Sequence, residues 1–380
     1  MGYDNYDYEE AIKISQRRKK KSIILKKRRQ QILRKRIMLL VSAAFVIVLA
    51  VIIVNMTSGL RKTANTKAAF ASDIVEETKW EEEEETQEPT EPPLIYSELA
   101  ADYQDVSGDT NISSPYAALL DVDNHKIIAG KQATTRIYPA SMTKVMTLIV
   151  VSEHIKDISN TYTFEYEMLN RLFREEASVA GFLEGETVDV EDMLYGLILP
   201  SGADAAEALA IMVAGSNEAF AELMNQKCRE LGLKNTHFAN PTGLYDDNQY
   251  TTPAEMAMIM EYAMKDDLRA KVLGTYQYTT KPTAQHPEGI LLTSTMYSRI
   301  YGNEAPGVIV KGGKTGFINE AGSCLVSYAV TNKGHAYVFC TGGATYKWAP
   351  VYDEIYVYKK LIPGSSKDLE TETTKMTPNN

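Results

Sequence analysis

Cysteine is scarce. Three residues, Cys228, Cys324 and Cys340, in a chain of 380 are too few for a disulfide framework. No C-x-x-C and no H-E-x-x-H occurs, so the sequence makes no case for a metal site. No G-x-S-x-G is present, and the five histidines, His125, His154, His237, His286 and His335, are scattered. Both facts speak against a Ser-His-Asp hydrolase. Positive charge is also scarce once the first 36 residues are passed. Those residues carry 13 Lys or Arg against 4 Asp or Glu, a net +9. With a formal total of −10, the remainder carries −19. A short basic end on an acidic body points to a membrane, not to nucleic acid.

What is present begins with the apolar run that follows the basic end. Ile37 to Val54 is uncharged, and Asn55 and Met56 extend it. A spanning helix needs about 20 such residues. Arg34, Lys35 and Arg36 abut its N-terminal side and few positive charges follow it, which puts the N-terminus in the cytoplasm and the rest outside. The competing reading is a cleaved signal peptide. Its apolar core would be only about 7–15 residues long, and the nearest small-x-small site, Ala69-Phe70-Ala71, lies well beyond the run. An uncleaved anchor over 37–56 is therefore expected, behind a basic cytoplasmic tail, 1–36.

Residues 57–109 read as a linker. Its centre, WEEEEETQEPTEPP from Trp80 to Pro93, is acidic and proline-rich, cannot bury a core and is extended by self-repulsion. Ordered structure is expected near Ser114, within a domain over 110–362, and a polar tail, 363–380, closes the chain. YAALLDVDNHKIIAG (116–130) has the pattern of a β-hairpin turning at Asp123-Asn124. The run from Ser141 to His154 is apolar nearly all round, as in a helix at the centre of a domain. Two helical segments, VEDMLYGLIL (190–199) and ADAAEALAIMVAG (203–215), are broken at Leu199-Pro200-Ser201-Gly202. Ser216 is the expected N-cap of a third, which ends before Gly232. Thr252 and Glu255, with Pro253 between, have the spacing of a capping box. After Gly307 the texture alternates in three glycine- or asparagine-punctuated segments that read as antiparallel strands. YDEIYVYKKLI (352–362) closes with a helix. Strands at both ends with helices between make one α/β domain of about 250 residues, within the usual single-domain range.

Cys228 shares an apolar helix face with Phe220, Leu223, Met224 and Leu231, which marks it as a core thiol. Cys324 and Cys340 fall on two strands of one expected hairpin. Whether they face each other depends on register, since a one-residue slip turns them to opposite faces.

The stretch YPASMTKVMT (138–147) sets Ser141 and Lys144 three residues apart at the head of the apolar helix. Residues i and i+3 are neighbours on a helix. Packed among Met142, Val145 and Met146 the lysine is expected to be partly desolvated, which lowers its pKa and makes a neutral amine available. An adjacent base is what a serine hydroxyl needs to become a nucleophile. The helix N-terminus adds free N–H groups suited to an oxyanion. S-x-x-K alone is a short pattern that arises by chance. At the other end of the domain stands Lys314-Thr315-Gly316, at a strand end and flanked by glycines that permit close backbone approach. Lys314 offers a positive charge and Thr315 a hydroxyl, which suit a substrate carboxylate. S-x-x-K followed by K-T-G is the serine acyl-transfer signature of penicillin-binding proteins and serine β-lactamases.

Over roughly residues 112–360 the chain resembles the low-molecular-mass penicillin-binding proteins, the serine-type D-alanyl-D-alanine carboxypeptidases. The resemblance extends to LEGETVDVEDMLYGLILPSGADAAEALA, FAELMNQKCRELGLKNTHFANPTGLYDDNQYTTPAEMA, KGGKTGF and AGSCLVSYA, in the family's order. It implies an antiparallel sheet flanked by helices, an all-helical lobe and a site between them. It implies Ser141 as the acylated nucleophile, Lys144 as its general base and Ser201 as a proton relay to the leaving amine. Lys314 and Thr315, with Gly316 following, would hold the terminal carboxylate, and the N–H groups of Ser141 and Phe317 would form the oxyanion hole. The substrate implied is the D-alanine-terminated stem peptide of peptidoglycan, with β-lactam antibiotics as inhibitors. No cofactor is implied.

One position departs from the family. Its middle motif is S-x-N, but Ala203 follows Ser201-Gly202, and no S-x-N occurs anywhere in the chain. Tyr301-Gly302-Asn303 imitates the related Y-x-N, but lies just before K-T-G and outside the helical lobe. The missing carboxamide would have bonded the substrate backbone and the base lysine. One such hydrogen bond is worth about 0.5–1.5 kcal/mol, which implies a weakened enzyme, since both lysines and both serines remain. Ala203 is also the one feature that favours a non-catalytic protein binding peptidoglycan peptides. A class A β-lactamase needs a positioned glutamate, and no E-x-x-L-N-like segment follows the middle motif.

Overall fold

A computed structural model describes residues 97–362 except 301, 303 and 304. The expected tail 1–36, anchor 37–56, most of the linker, Tyr301, Asn303 and the tail 363–380 lie outside these residues. Among the described residues no helix is long and apolar enough to cross a membrane.

In chain order the elements are β1 (Glu98–Asp105), β2 (Tyr116–Asp121), β3 (Lys126–Lys131), a 3₁₀ turn (Ala140–Thr143), α1 (Lys144–His154), β4 (Thr161–Thr163) and α2 (Tyr166–Arg174). Then come β5 (Thr187–Asp189), α3 (Val190–Ile198), α4 (Ala203–Ala214), α5 (Asn217–Glu230), α6 (Pro253–Ala263) and α7 (Asp267–Leu273). The last are β6 (Gln277–Thr279), β7 (Leu291–Thr293), α8 (Tyr297–Ile300), β8 (Val308–Ile318), β9 (Gly322–Thr331), β10 (Ala336–Ala344) and α9 (Ala349–Lys360).

The main sheet has six strands in the order β1-β3-β2-β10-β9-β8. All its pairings are antiparallel except β1 with β3. The sheet is therefore mixed, not purely antiparallel. Its first strand also lies inside the stretch that composition assigns to the linker. β1 is largely exposed and sits on an edge, so burial leaves almost no mark on its sequence. What holds it is the backbone ladder to β3, which no side-chain pattern announces.

The interior strands obey the period of two that buries both faces. On β2, Ala118 and Leu120 belong to one core while Ala117 and Leu119 belong to the other. On β10, Val338 and Cys340 face the first core, Tyr337 and Phe339 the second. The second core is closed by α9 through Val357 and Tyr358. The first contains α1, whose Val145, Met146 and Leu148–Val151 are fully buried. A helix buried on every side has no polar face, which is why its sequence is apolar all round. The expected all-helical lobe is helical with two short ribbons, β4–β5 and β6–β7.

Local signals match the caps. Ser216 Oγ accepts from the Ala219 N–H, and Gly232 follows α5 with φ of 72°. Thr252 Oγ1 accepts from Glu255 N–H at 3.1 Å. The return half of the expected capping box is not made. The Glu255 carboxylate instead accepts from the N–H groups of Lys234 and Asn235 and from the Thr236 hydroxyl. It pins the loop after α5, a long-range use that local spacing cannot reveal.

All three cysteines are free and buried. Cys340 lies opposite Val326 and Cys324 opposite Gly316, so the register does not pair the two thiols across the ladder. Burial pushes the Cys228 and Cys324 thiols up to about 12.

Candidate functional site

Both halves of the sequence signature meet where the edge strand β8 passes the start of α1. Ser141 sits on the 3₁₀ turn and Lys144 is the first residue of α1. Lys144 Nζ lies 3.2 Å from Ser141 Oγ, as the spacing predicts. The burial is more complete than expected: Lys144 is 1% exposed. Burial pushes its ammonium down to about 7, against the opposing pull of the Asp204 and Glu207 carboxylates. An amine titrating there is available as a base near neutral pH.

The second pair lies beside the first. Ser201 occupies the break between α3 and α4, and its Oγ accepts from Lys314 Nζ at 2.9 Å. Lys314 Nζ also donates to the Thr315 carbonyl at 2.7 Å. Lys314 is 1% exposed. Burial holds it well below the ordinary lysine range, helped by the positive charges of Lys144 and Arg299. The Thr315 hydroxyl is hydrogen-bonded to the Thr295 hydroxyl at 2.7 Å. The Phe317 side chain is exposed at the end of β8.

Two backbone positions are strained where the serines stand. Ala140, just before Ser141, has φ of 47°, and Ser201 has φ of 69°. Non-glycine residues in this region cost about 1–3 kcal/mol each and cluster at functional sites. Two glycines allow the crowding. A Cβ on Gly316 would lie 3.1 Å from each of Ala140 Cβ, the Pro139 oxygen and Ser141 N. A Cβ on Gly243, whose φ is 80°, would fall on the Ala140 carbonyl. The glycine of K-T-G thus admits the backbone of Ser141.

Ala203 begins α4 with its N–H donating to the Ser178 carbonyl at 2.7 Å. Its methyl is buried, and it brings no carboxamide to the site. The neighbouring Asp204 carboxylate accepts from the N–H groups of Ala180, Gly181 and Ala205, holding segment 178–182 against α4. Burial pushes this carboxyl up in spite of those bonds.

Sequence reasoning missed two participants. The Thr242 carbonyl accepts a hydrogen bond from Lys144 Nζ, and Thr295 sets the Thr315 hydroxyl. Neither could be found from spacing: one acts through its backbone, the other through a partner twenty residues on. The only trace of the first is the N-P-T-G turn, Asn240 to Gly243.

The family model described as D-alanyl-D-alanine carboxypeptidase matches residues 103–341. D-alanyl-D-alanine carboxypeptidase DacF of Bacillus subtilis is 35% identical over 240 residues, covering 61% of this chain and 58% of that protein. DacA of Haemophilus influenzae is 32% identical, covering 73% of this chain and 68% of that one. The chain therefore spans under two thirds of the Bacillus protein's length. A crystal structure of a Streptomyces DD-transpeptidase superposes with a TM-score of 0.58 at 29% identity, over 64% of this chain and 94% of that one. A Mycobacterium tuberculosis D-alanyl-D-alanine carboxypeptidase superposes at 0.57 with 24% identity, over 66% of this chain and 93% of that one, which bears on fold alone. The fold is that of the penicillin-binding proteins and serine β-lactamases. With the family model matched across most of the described residues, the chain belongs to the D-alanyl-D-alanine carboxypeptidase family.

Proposed function

We propose that the protein is a serine-type D-alanyl-D-alanine carboxypeptidase that removes the terminal D-alanine of peptidoglycan stem peptides through an acyl-Ser141 intermediate. One observation carries the reading: two buried lysines sit side by side, each hydrogen-bonded to a serine hydroxyl. Burying two lysine amines costs the free energy of keeping them charged or of giving up their protons, and a purely structural role gives no return for it. Perturbed lysines paired with nucleophile candidates are the mark of an acyl-transfer site.

Neutral Lys144 takes the proton from Ser141 Oγ as that oxygen attacks the carbonyl of the D-Ala–D-Ala bond. The N–H groups of Ser141 and Phe317 receive the developing oxyanion. Ser201 gives its proton to the leaving amine and is reprotonated by the Lys144 ammonium, which returns to the neutral amine, and D-alanine departs, while Lys314 keeps its charge. Water then attacks the acyl ester, Lys144 takes its proton and passes it to Ser141 Oγ as the ester bond breaks, and the shortened peptide leaves with a new carboxylate. Lys314 and the Thr315 hydroxyl hold the substrate's terminal carboxylate. That anion raises Lys314 back toward its ordinary range, so substrate binding and charging of Lys314 go together. β8 is an edge strand, and its outer backbone groups suit an extended peptide laid alongside. Penicillin acylates the same serine.

In this reading residues 37–56 anchor the chain in the cell membrane. The tail 1–36 is cytoplasmic, the linker 57–109 is a spacer and the catalytic domain is extracytoplasmic, facing the wall. A second reading, a non-catalytic peptidoglycan-peptide binder, is favoured by Ala203 alone.

The test uses the full chain beside Ser141→Ala, with diacetyl-Lys-D-Ala-D-Ala and with penicillin. D-alanine release and a penicillin mass adduct, both lost in the variant, are expected. An adduct without D-alanine release points to another substrate for a working site. Neither signal leaves the binding protein as the better account.

A further inference from the structure

The absence of a carboxamide at position 203 leaves a question of orientation. A neutral lysine amine has two N–H donors and one lone pair. For Lys144 to act as a base, the lone pair must point at the Ser141 hydroxyl. Something must therefore take an N–H and fix the rotation about the last C–N bond. The Thr242 carbonyl does this, because a carbonyl oxygen can only accept. Once one N–H is committed to Thr242, the direction 3.2 Å to Ser141 Oγ is open to the lone pair.

Asn240 supplies three of the bonds that hold the peptide bearing that carbonyl. Asn240 Oδ1 accepts from the Thr242 N–H at 3.2 Å, the Thr242 hydroxyl at 2.9 Å and the Gly243 N–H at 2.8 Å. Asn240 Nδ2 donates to the Leu244 carbonyl at 3.1 Å. Behind it, buried Gln249 accepts from the N–H groups of Ala239 and Asn240 through Oε1. The loop is also tied to α1, where the Thr147 hydroxyl donates to the Pro241 carbonyl at 2.7 Å. These bonds hold the peptide between Thr242 and Gly243 with its oxygen toward Lys144.

We infer that Asn240 is the positioning residue for the base lysine: it locks the Thr242 carbonyl, which aims Lys144 at Ser141 in a site that has no carboxamide at position 203 to do so. The inference rests on the acyl-serine reading. It explains how a chain with Ala203 keeps an oriented base, and it assigns a chemical role to a loop whose composition suggests only a turn.

The experiment measures penicillin acylation of the full chain by intact mass over a range of penicillin concentrations. Saturation separates the acylation step from the binding step that precedes it, and thermal unfolding is recorded alongside. Asn240→Ala is expected to slow the acylation step by about tenfold or more with half-saturation unchanged, the pattern of an interaction used in the chemical step. Asn240→Asp keeps the accepting oxygen and is expected within about threefold of wild type. Ala203→Asn is expected to accelerate the Asn240→Ala chain by a larger factor than it accelerates wild type, because a second acceptor then reaches Lys144. A merely structural loop residue gives no such coupling. An Asn240→Ala chain that acylates within about twofold of wild type overturns the inference. So does an Asn240→Asp chain as slow as Asn240→Ala. Should Asn240→Ala lack a cooperative unfolding transition, Thr242→Ala decides. It keeps the carbonyl but removes the hydroxyl arm of the clamp, and a rate equal to wild type refutes the role. Wild type that forms no adduct fails the acyl-serine reading, and the inference with it. A wild type that acylates beside unaffected variants fails the inference alone.

Discussion

Replacing Gly243 with alanine tests whether the loop after α5 sets the nucleophile's position. The added Cβ falls on the Ala140 carbonyl, 2.5 Å from its carbon and 2.9 Å from Ser141 N. Carbon atoms in contact prefer about 3.5–4.0 Å, so one backbone must move by about 1 Å. The left-handed backbone at φ of 80° costs a non-glycine residue about 1–2 kcal/mol, and overpacking adds about 1–3 kcal/mol. A loss of roughly 2–5 kcal/mol in stability follows. The segment that moves carries Ser141, and a misplacement of that size costs on the order of 100-fold in rate. Gly215→Ala is the control. Gly215 has the same φ, but nothing lies within 4 Å of its missing Cβ. It should lose only about 1–2 kcal/mol and acylate like wild type. Thermal unfolding and penicillin acylation of the full chain read both quantities. A Gly243→Ala chain that acylates at the wild-type rate would refute the packing argument. A Gly215→Ala chain equally slow would show that strain, not contact, is responsible.

Three further outcomes follow from the buried polar groups. Acylation should rise with pH through about 7 as Lys144 loses its proton, and a flat profile from pH 6 to 8 would exclude Lys144 as the base. Its folded pKa lies below the ordinary 10.5, so between those values the unfolded chain binds the extra proton and stability rises with pH. Lys144→Met should abolish acylation yet raise stability near neutral pH. Removing a buried cation worth on the order of 3–6 kcal/mol outweighs the roughly 1–3 kcal/mol of an unpaired Thr242 carbonyl, and a lowered unfolding temperature would contradict this. Asp353, 1% exposed, accepts from the N–H groups and hydroxyls of Ser113 and Ser114 and ties α9 to the entry of β2. Asp353→Ala should destabilise by roughly 2–4 kcal/mol without slowing acylation of the folded protein. A wild-type unfolding temperature would mean those donors find other partners.

Much of this protein is written in local order. The apolar α1, the caps at Ser216 and Thr252, the alternation along β2 and β10 and the break at Ser201 all follow from neighbours within a few positions. Burial and hydrogen bonding there act at short range and leave a period in the residues. The Ser141–Lys144 pair belongs to the same class, because a helix turn alone brings residues three apart together. The sequence also singles out Lys314, Thr315 and Gly316, and the departure at Ala203. What only tertiary structure decided lies at long sequence separation or in the backbone. β1 joined the sheet through a parallel ladder that no side chain encodes. Glu255 left its expected cap to hold the loop before it. Lys314 met Ser201 across 113 positions, which made two pairs into one buried site. The full burial that lowers Lys144, and the Thr242 carbonyl that meets it, exist only once α1, β8 and the 240–244 loop converge. A lysine's pKa and a carbonyl's direction are properties of packing, and no spacing in the chain specifies them.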